Sequence, residues 1–271
     1  MHRLFPSDNK TPMNFFTTSL SPTLAPTIGL SEITISQPSR ELSPSIGQAY
    51  NSWKPRVDFV LGLLLMVVLA PIVGFFAVLV KLTSRGPAFY KQTRMGLRGK
   101  PFIIWKLRSM TNNCEKASGA QWSTKGDQRV TLVGRFIRRV HIDEFPQILN
   151  VLKGEMSLVG PRPERPEFLP MLQQAIPNYS NRLMVKPGIS GLAQVYLPAD
   201  QDLDSVRKKQ IYDLEYIRTF GFSLDIRLMI ATVLQAVGVP HRLVRPALAL
   251  PTSTTIEAIA NRSSSNPLAT T

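Results

Sequence analysis

The 271-residue sequence holds one cysteine, Cys114, and three histidines. A single thiol excludes any intramolecular disulfide, and so few thiols and imidazoles cannot build a Cys/His zinc site. That usage fits a reducing, cytosolic setting. Acidic residues are also few, 18 against 32 Lys+Arg, which leaves a net +14. The chain has no Gly-rich phosphate loop ending in Lys-Ser/Thr and no Gly-x-Gly-x-x-Gly dinucleotide fingerprint. Any nucleoside phosphate must therefore be held by side-chain cations and a metal. The length suffices for one or two domains with a core that needs no staples.

The positive charge is concentrated. Residues 81–140 carry fourteen basic residues against Glu115 and Asp127, a net +12. Such a block seeks nucleic acid, anionic lipid headgroups or a phosphorylated substrate, with a solvated basic surface as the plain alternative.

Just before it, 59–80 reads FVLGLLLMVVLAPIVGFFAVLV, 22 residues without a charge, and a straight helix of that length is about 33 Å long, enough to cross a bilayer. Two features argue for re-entry, with a tilted single span that tolerates Pro in mid-membrane as the open alternative. Pro71 removes a backbone hydrogen bond in mid-segment, so a kink at Ala70-Pro71 is expected and each half is too short to cross alone. Basic residues also flank both ends, Lys54 and Arg56 before and Lys81, Arg85 and Lys91 after, where a spanning helix shows a one-sided excess. Residues 1–50 are rich in Ser, Thr and Pro without periodicity and read as a disordered tail.

Two short apolar runs, 88–90 and 102–105, punctuated by glycines, predict a β-hairpin with a basic loop. Lys106 and Arg108 leave the second run two residues apart, so on a regular strand they share a face and could grip one phosphate. Residues 132–140, LVGRFIRRV, have helical spacing, with arginines pointing toward the segment after it. Pro146 then predicts a short helix beginning there, with Asp143 and Glu144 just ahead of its N-terminus. Two readings of that pair stay open. It caps the helix and bridges to Arg138 or Arg139, or one carboxylate attacks phosphorus while its neighbour holds Mg²⁺. Gly160-Pro161-Arg162-Pro163 presents an arginine on a rigid turn suited to a phosphate, although loop rigidity alone also explains it.

Three stretches, KLTSRGPAFYKQTRMGLRGKPFIIWKLRSM, GRFIRRVHIDEFPQILNVLKGEMSLVGPRPE and RLMVKPGISGLAQV, occur in order, and over about 54–238 the chain resembles the bacterial sugar transferase family. These are the polyprenyl-phosphate glycosyl-1-phosphate transferases that begin exopolysaccharide and related glycan assembly. The resemblance implies that Asp143 is the nucleophile and Glu144 the Mg²⁺ ligand. Lys106, Arg108, Arg138 and Arg162 would contact phosphates, and Gln147 matches with a less defined role. It implies a nucleotide diphosphate sugar donor such as a UDP-hexose, release of nucleoside monophosphate, a phosphosugar-enzyme and a polyprenyl phosphate acceptor. It also implies a short monotopic form on the cytoplasmic face of the inner membrane. Departures are His141 where serine is common, Phe145 for leucine, Ala70 before Pro71, and Tyr196-Leu197-Pro198 after GLAQV, so the sugar pocket cannot be carried over.

Residues 202–220 form an amphipathic surface helix by spacing, and 223–238 are apolar on most faces, packing on the domain or lying in the interface. The tail 245–271 reads as disordered. The expectation is therefore an α+β, mostly helical chain. A re-entrant membrane hairpin at 54–83 precedes a compact cytoplasmic catalytic domain at 84–240, with a β-hairpin and interfacial amphipathic helices. The rival reading is a membrane-anchored nucleic-acid binder; against it, the basic residues form no recognition helix or stacking sheet, and no nucleic acid is expected. The sequence is silent on the sugar and on oligomeric state.

Overall fold

The computed structural model describes residues 48–115, 119–122 and 126–265. Most of the Ser/Thr/Pro-rich segment lies outside these residues, but its last three, 48–50, open the first helix. Helix α1 (Gln48–Thr83) runs unbroken through Pro55 and Pro71. The expected hairpin of two half-helices is thus one helix, about 54 Å along its axis at the standard rise. Its continuity has a packing cause. Leu61 and Met66 on one side of Pro71, and Val73, Phe76 and Ala77 on the other, all pack on domain cores, which holds the chain helical through the missing hydrogen bond.

Strands β1 (Phe89–Met95) and β2 (Pro101–Leu107) make the expected antiparallel hairpin, Phe89 opposite Leu107 and Met95 opposite Pro101. The tight turn between them uses Arg98 and Gly99 at positive φ. Helix α2 (Leu132–Arg139) begins with Thr131, whose side chain accepts from Gly134 N. A 3-10 turn (Ile142–Gln147) comes next, then α3 (Ile148–Leu152). The helix expected from Pro146 therefore starts two residues later, and the acidic pair sits inside the turn. His141, left-handed at φ 59°, redirects the chain between α2 and that turn.

Strand β3 (Ser157–Val159) pairs in parallel with β4 (Gly188–Ser190), with α4 (Leu169–Ala175) between them. The close approach of these strands needs glycine, because a Cβ on Gly160 would lie 2.4 Å from Lys186 O. Helices α5 (Leu192–Tyr196), α6 (Leu203–Thr219), α7 (Phe222–Ala236), α8 (His241–Ala247) and α9 (Ser253–Ser265) complete the described chain. The largest core joins Ile104, Ile148, Met156, Leu158, Tyr212, Tyr216 and Leu228. Val244, Leu250 and Ile256 belong to it too, so the expected disordered tail is corrected as far as residue 265. One well-placed isoleucine, with Glu257 bonded to Lys208 at 3.0 Å and Tyr212 at 3.2 Å, docks α9 despite its polar composition.

Along α1, Lys54, Asp58, Gly62 and Val80 are buried, and Leu61, Met66, Val73 and Phe76 are half-buried, forming one helical stripe. At the start, Lys54 and Tyr50 bond Asp225 of α7, which also accepts from Tyr216. In the middle, a Cβ on Gly62 would sit 3.3 Å from Leu152. Near the end, Val80 packs with Leu107, Ile137 and Ile142. The opposite face is bare and apolar, with Val67 71% and Leu82 77% accessible. The domain thus holds the helix near both ends, at Tyr50, Lys54 and Asp58 and again at Val73, Phe76 and Val80. Cysteines at Asn51 and Ser84, in a Cys114→Ser background, are expected to report the same side of a membrane to an impermeant thiol reagent. One labelled and one protected would establish a span.

Candidate active site

The acidic pair is placed by β2 and by the turn after β3. Lys106 leaves β2 and donates to Glu144 Oε1 at 2.8 Å. Arg162 comes from the Gly160–Pro163 turn and grips the same carboxylate from two nitrogens, NH1 to Oε2 at 3.0 Å and NH2 to Oε1. Both carboxyls are buried, each 8% accessible. Burial by itself would raise Glu144, but Arg162 and then Lys106, through charge and hydrogen bonds, hold it well below the usual carboxylate range. Asp143 goes the other way. Burial, reinforced by the Glu144 charge, pushes it up to about 6 against the pull of Lys106, Arg138 and Arg162. Two adjacent carboxyls thus have opposite environments, the usual sign of divided roles.

Asp143, Glu144, Lys106, Arg108, Arg138 and Arg162 all line one cavity of about 630 Å³. The structure brings these together, with one difference of role. Lys106 and Arg108 do not converge on one phosphate. Arg108 turns back to α1, donating from NH2 to Ser84 O at 2.8 Å and Ser84 Oγ at 2.7 Å, because it lies one residue beyond the end of β2, where strand alternation no longer orients it. Its Nε and NH1 are buried with no partner. Gln147 is buried, 3% accessible, and is not among the cavity-lining residues. The local bridge from the dyad to Arg138 or Arg139 is replaced, for Glu144, by partners distant in sequence.

Sequence reasoning missed several residues. Arg182 donates to Arg162 O at 2.9 Å and to Asp213 Oδ2 at 2.6 Å, and Arg94 donates to Pro163 O at 3.0 Å. These two guanidiniums hold the carbonyls of Arg162 and Pro163, so the rigidity of Arg162 is built from outside as well as from its prolines. Gln194 lines the cavity with both polar side-chain atoms buried and without partners, an arrangement suited to a polar ligand group. The available signal was the place of Arg182 and Gln194 in RLMVKPGISGLAQV and of Arg94 in KLTSRGPAFYKQTRMGLRGKPFIIWKLRSM. Farther along the cavity, Arg165 bonds Glu115 at 2.9 Å and Arg129 bonds Asp127 at 2.6 Å.

Among the described residues no three His, Cys, Asp or Glu side chains cluster to hold a metal. Both Glu144 oxygens already face a cation, but a carboxylate has further lone pairs. A Mg²⁺ ion would have to be shared here, with Glu144 able to offer one oxygen beside substrate phosphates and water, which is ordinary Mg²⁺ usage.

The sequence pattern defining the bacterial sugar transferases matches residues 49–238. The chain belongs to the bacterial sugar transferase family. It is 43% identical over 180 residues, 66% of its length, to an Aeromonas hydrophila protein named UDP-N-acetylgalactosamine-undecaprenyl-phosphate N-acetylgalactosaminephosphotransferase, covering 42% of that protein. It is 42% identical over 178 residues, 65% of its length, to an Escherichia coli UDP-glucose:undecaprenyl-phosphate glucose-1-phosphate transferase, covering 38% of it. With the Rhizobium leguminosarum exopolysaccharide production protein PSS it shares 37% over 186 residues, 66% of this chain and 92% of that one. The match thus spans about two fifths of the first two relatives and nearly all of the third. The nucleic-acid reading gains no support from the fold or from these relatives.

In the metal-free protein, the ¹³C-labelled Asp143 carboxyl, assigned by its loss in Asp143→Asn, is expected to titrate with a midpoint near pH 6. Glu144→Gln removes the adjacent negative charge and should lower that midpoint. An Asp143 midpoint in the ordinary aspartate range would contradict the divided environments.

Proposed function

We propose that this chain transfers a sugar 1-phosphate from a UDP-sugar to undecaprenyl phosphate or a like polyprenyl phosphate, releasing UMP and starting a glycan on the membrane. The observation that carries this is the split dyad. Asp143, buried on the cavity wall, is the nucleophile, and Glu144, held ionised by Lys106 and Arg162, keeps those cations where the diphosphate binds. An Asp143 oxygen attacks the sugar-bearing phosphorus, and the bond to the bridging oxygen breaks with its electron pair leaving on UMP. The acceptor's phosphate oxygen then attacks the same phosphorus and the Asp143 carboxylate departs. No proton is consumed in either step, so no general base is required. Arg138 and Arg162 stabilise the charge on the phosphoryl oxygens. Mg²⁺, held by Glu144 and the diphosphate, would supply further neutralisation of that charge.

Splitting the reaction suits substrates of unlike polarity, since the soluble nucleotide can leave before the lipid arrives. The bare apolar face of α1 supports a membrane seat, and basic flanks at both ends favour the cytoplasmic side. The names of the relatives include both glucose and N-acetylgalactosamine donors, so the sugar has to be found by experiment. In a panel of nucleotide sugars with undecaprenyl phosphate and Mg²⁺, one UDP-sugar is expected to release UMP. Glu144→Gln should reduce that rate on the order of a hundredfold or more, and a chelator should do likewise. Full turnover in either case would refute the role of Glu144, and a panel with no nucleotide release would refute the reading.

A further inference from the structure

One stretch of the cavity wall is built on a helix too short to hold itself. Helix α5 spans five residues, Leu192–Tyr196, and its Ala193 and Gln194 line the cavity together with Ala199 and Asp200 just beyond it. A single turn is not stable alone, so its shape must come from its neighbours. At its start, a Cβ on Gly191 would lie 2.2 Å from Gly160 O and 2.4 Å from Gln194 Oε1. The Gln194 amide therefore folds back over Gly191, with its oxygen and nitrogen buried and without partners. At its end, a helix leaves carbonyls that have no intrahelical donor. Gln235 of α7 donates to Val195 O at 3.1 Å, and Arg245 of α8 donates from NH2 to Tyr196 O at 3.1 Å. The Arg245 guanidinium also lies over the Tyr196 ring, 4.3 Å from its centroid, and the Tyr196 hydroxyl donates to Pro251 O. Tyr196 opens the stretch where the chain departs from the usual family residues. Arg245 and Pro251 lie beyond residue 238, where the family match ends.

We propose that Arg245 is a positioning residue for this cavity: from outside the family's matched region it fixes α5, so that the Gln194 amide stays open to the donor. An amide offers one hydrogen-bond donor and one acceptor without charge, so its partner is an uncharged hydrogen-bonding group of the UDP-sugar rather than a phosphate. The inference rests on the proposed donor, but the hold of Arg245 on α5 can be measured without any substrate.

The test uses the full chain. Arg245→Met keeps an aliphatic stem over Tyr196 and loses the bond to its carbonyl, whereas Arg245→Lys can still donate. Without substrates, hydrogen exchange at the α5 amides should be several-fold faster in Arg245→Met than in the wild type, with the β1–β2 hairpin unchanged and Arg245→Lys in between. In turnover with undecaprenyl phosphate and Mg²⁺, Arg245→Met should raise the KM for the UDP-sugar about tenfold, with kcat and the acceptor's KM within about twofold. Arg245→Lys should recover most of that loss. Gln194→Ala should raise the same KM, and adding Arg245→Met to it should change little, because the arginine acts through the amide. Additive effects in the double variant, unchanged exchange at α5, or a fall in kcat with the donor's KM unmoved would overturn the proposal. Faster exchange throughout the Arg245→Met chain would mean that the arginine supports the fold rather than the site, and would overturn it equally. Faster exchange confined to α5, in a protein whose wild type turns over no UDP-sugar, would uphold the hold of Arg245 on α5 and refute the catalytic reading.

Discussion

The ion cluster of Glu144 with Lys106 and Arg162 joins parts of the chain that share no local structure. Lys106 lies next to the last residue of β2, Glu144 lies in the short 3-10 link between two helices, and Arg162 sits on the turn leaving β3. Removing Glu144 would leave two cations without their shared counter-charge, a cost of about 3–5 kcal/mol, whereas removing either cation would leave the carboxylate with one partner. The surrounding elements are arranged to keep the cluster satisfied. Asn150 ties α3 to β2 through Ile103 O at 2.7 Å, and Arg182 and Arg94 fix the carbonyls of Arg162 and Pro163. Asp143, one residue before Glu144, gains a fixed position while its own carboxyl keeps an elevated pKa.

The same logic governs α1. Its buried stripe begins in charge, with Lys54 and Asp58 beneath Asp225 and the backbone of Leu158, and ends in aliphatic packing at Val80. The chain puts its ions where the helix meets the domain and its bare apolar surface on the other face. The bare apolar face of α1 and the cavity are thereby tied to one frame, because α1 touches α2, α3 and the turn carrying the dyad.

Features carried by local pattern were legible in the sequence. The hairpin followed from its glycines and apolar runs, α2 and α6 from their periodicity, and the family from three ordered motifs. Features set by long-range contact were not. Pro71 predicted a break, but the packing that spans it comes from elements far along the chain. Composition marked 253–265 as a tail, while Ile256 in the core and Glu257 on Lys208 and Tyr212 dock it as a helix. For the site, the acidic pair and Arg162 stood out, whereas Arg182 and Gln194 could be recognised only once folding placed one behind the turn and the other on the cavity wall. The alternation that paired Arg108 with Lys106 fails because β2 ends at Leu107.

The central claim is that Asp143 carries the phosphosugar between two half-reactions. The direct measurement is the intact mass of the full chain incubated with its UDP-sugar and Mg²⁺ in the absence of any acceptor. The account predicts about one equivalent of UMP per enzyme and a mass gain of one phosphosugar, located on the peptide containing Asp143 and missing from Asp143→Asn. UMP release only when acceptor is also present, or an adduct that persists in Asp143→Asn, would contradict it.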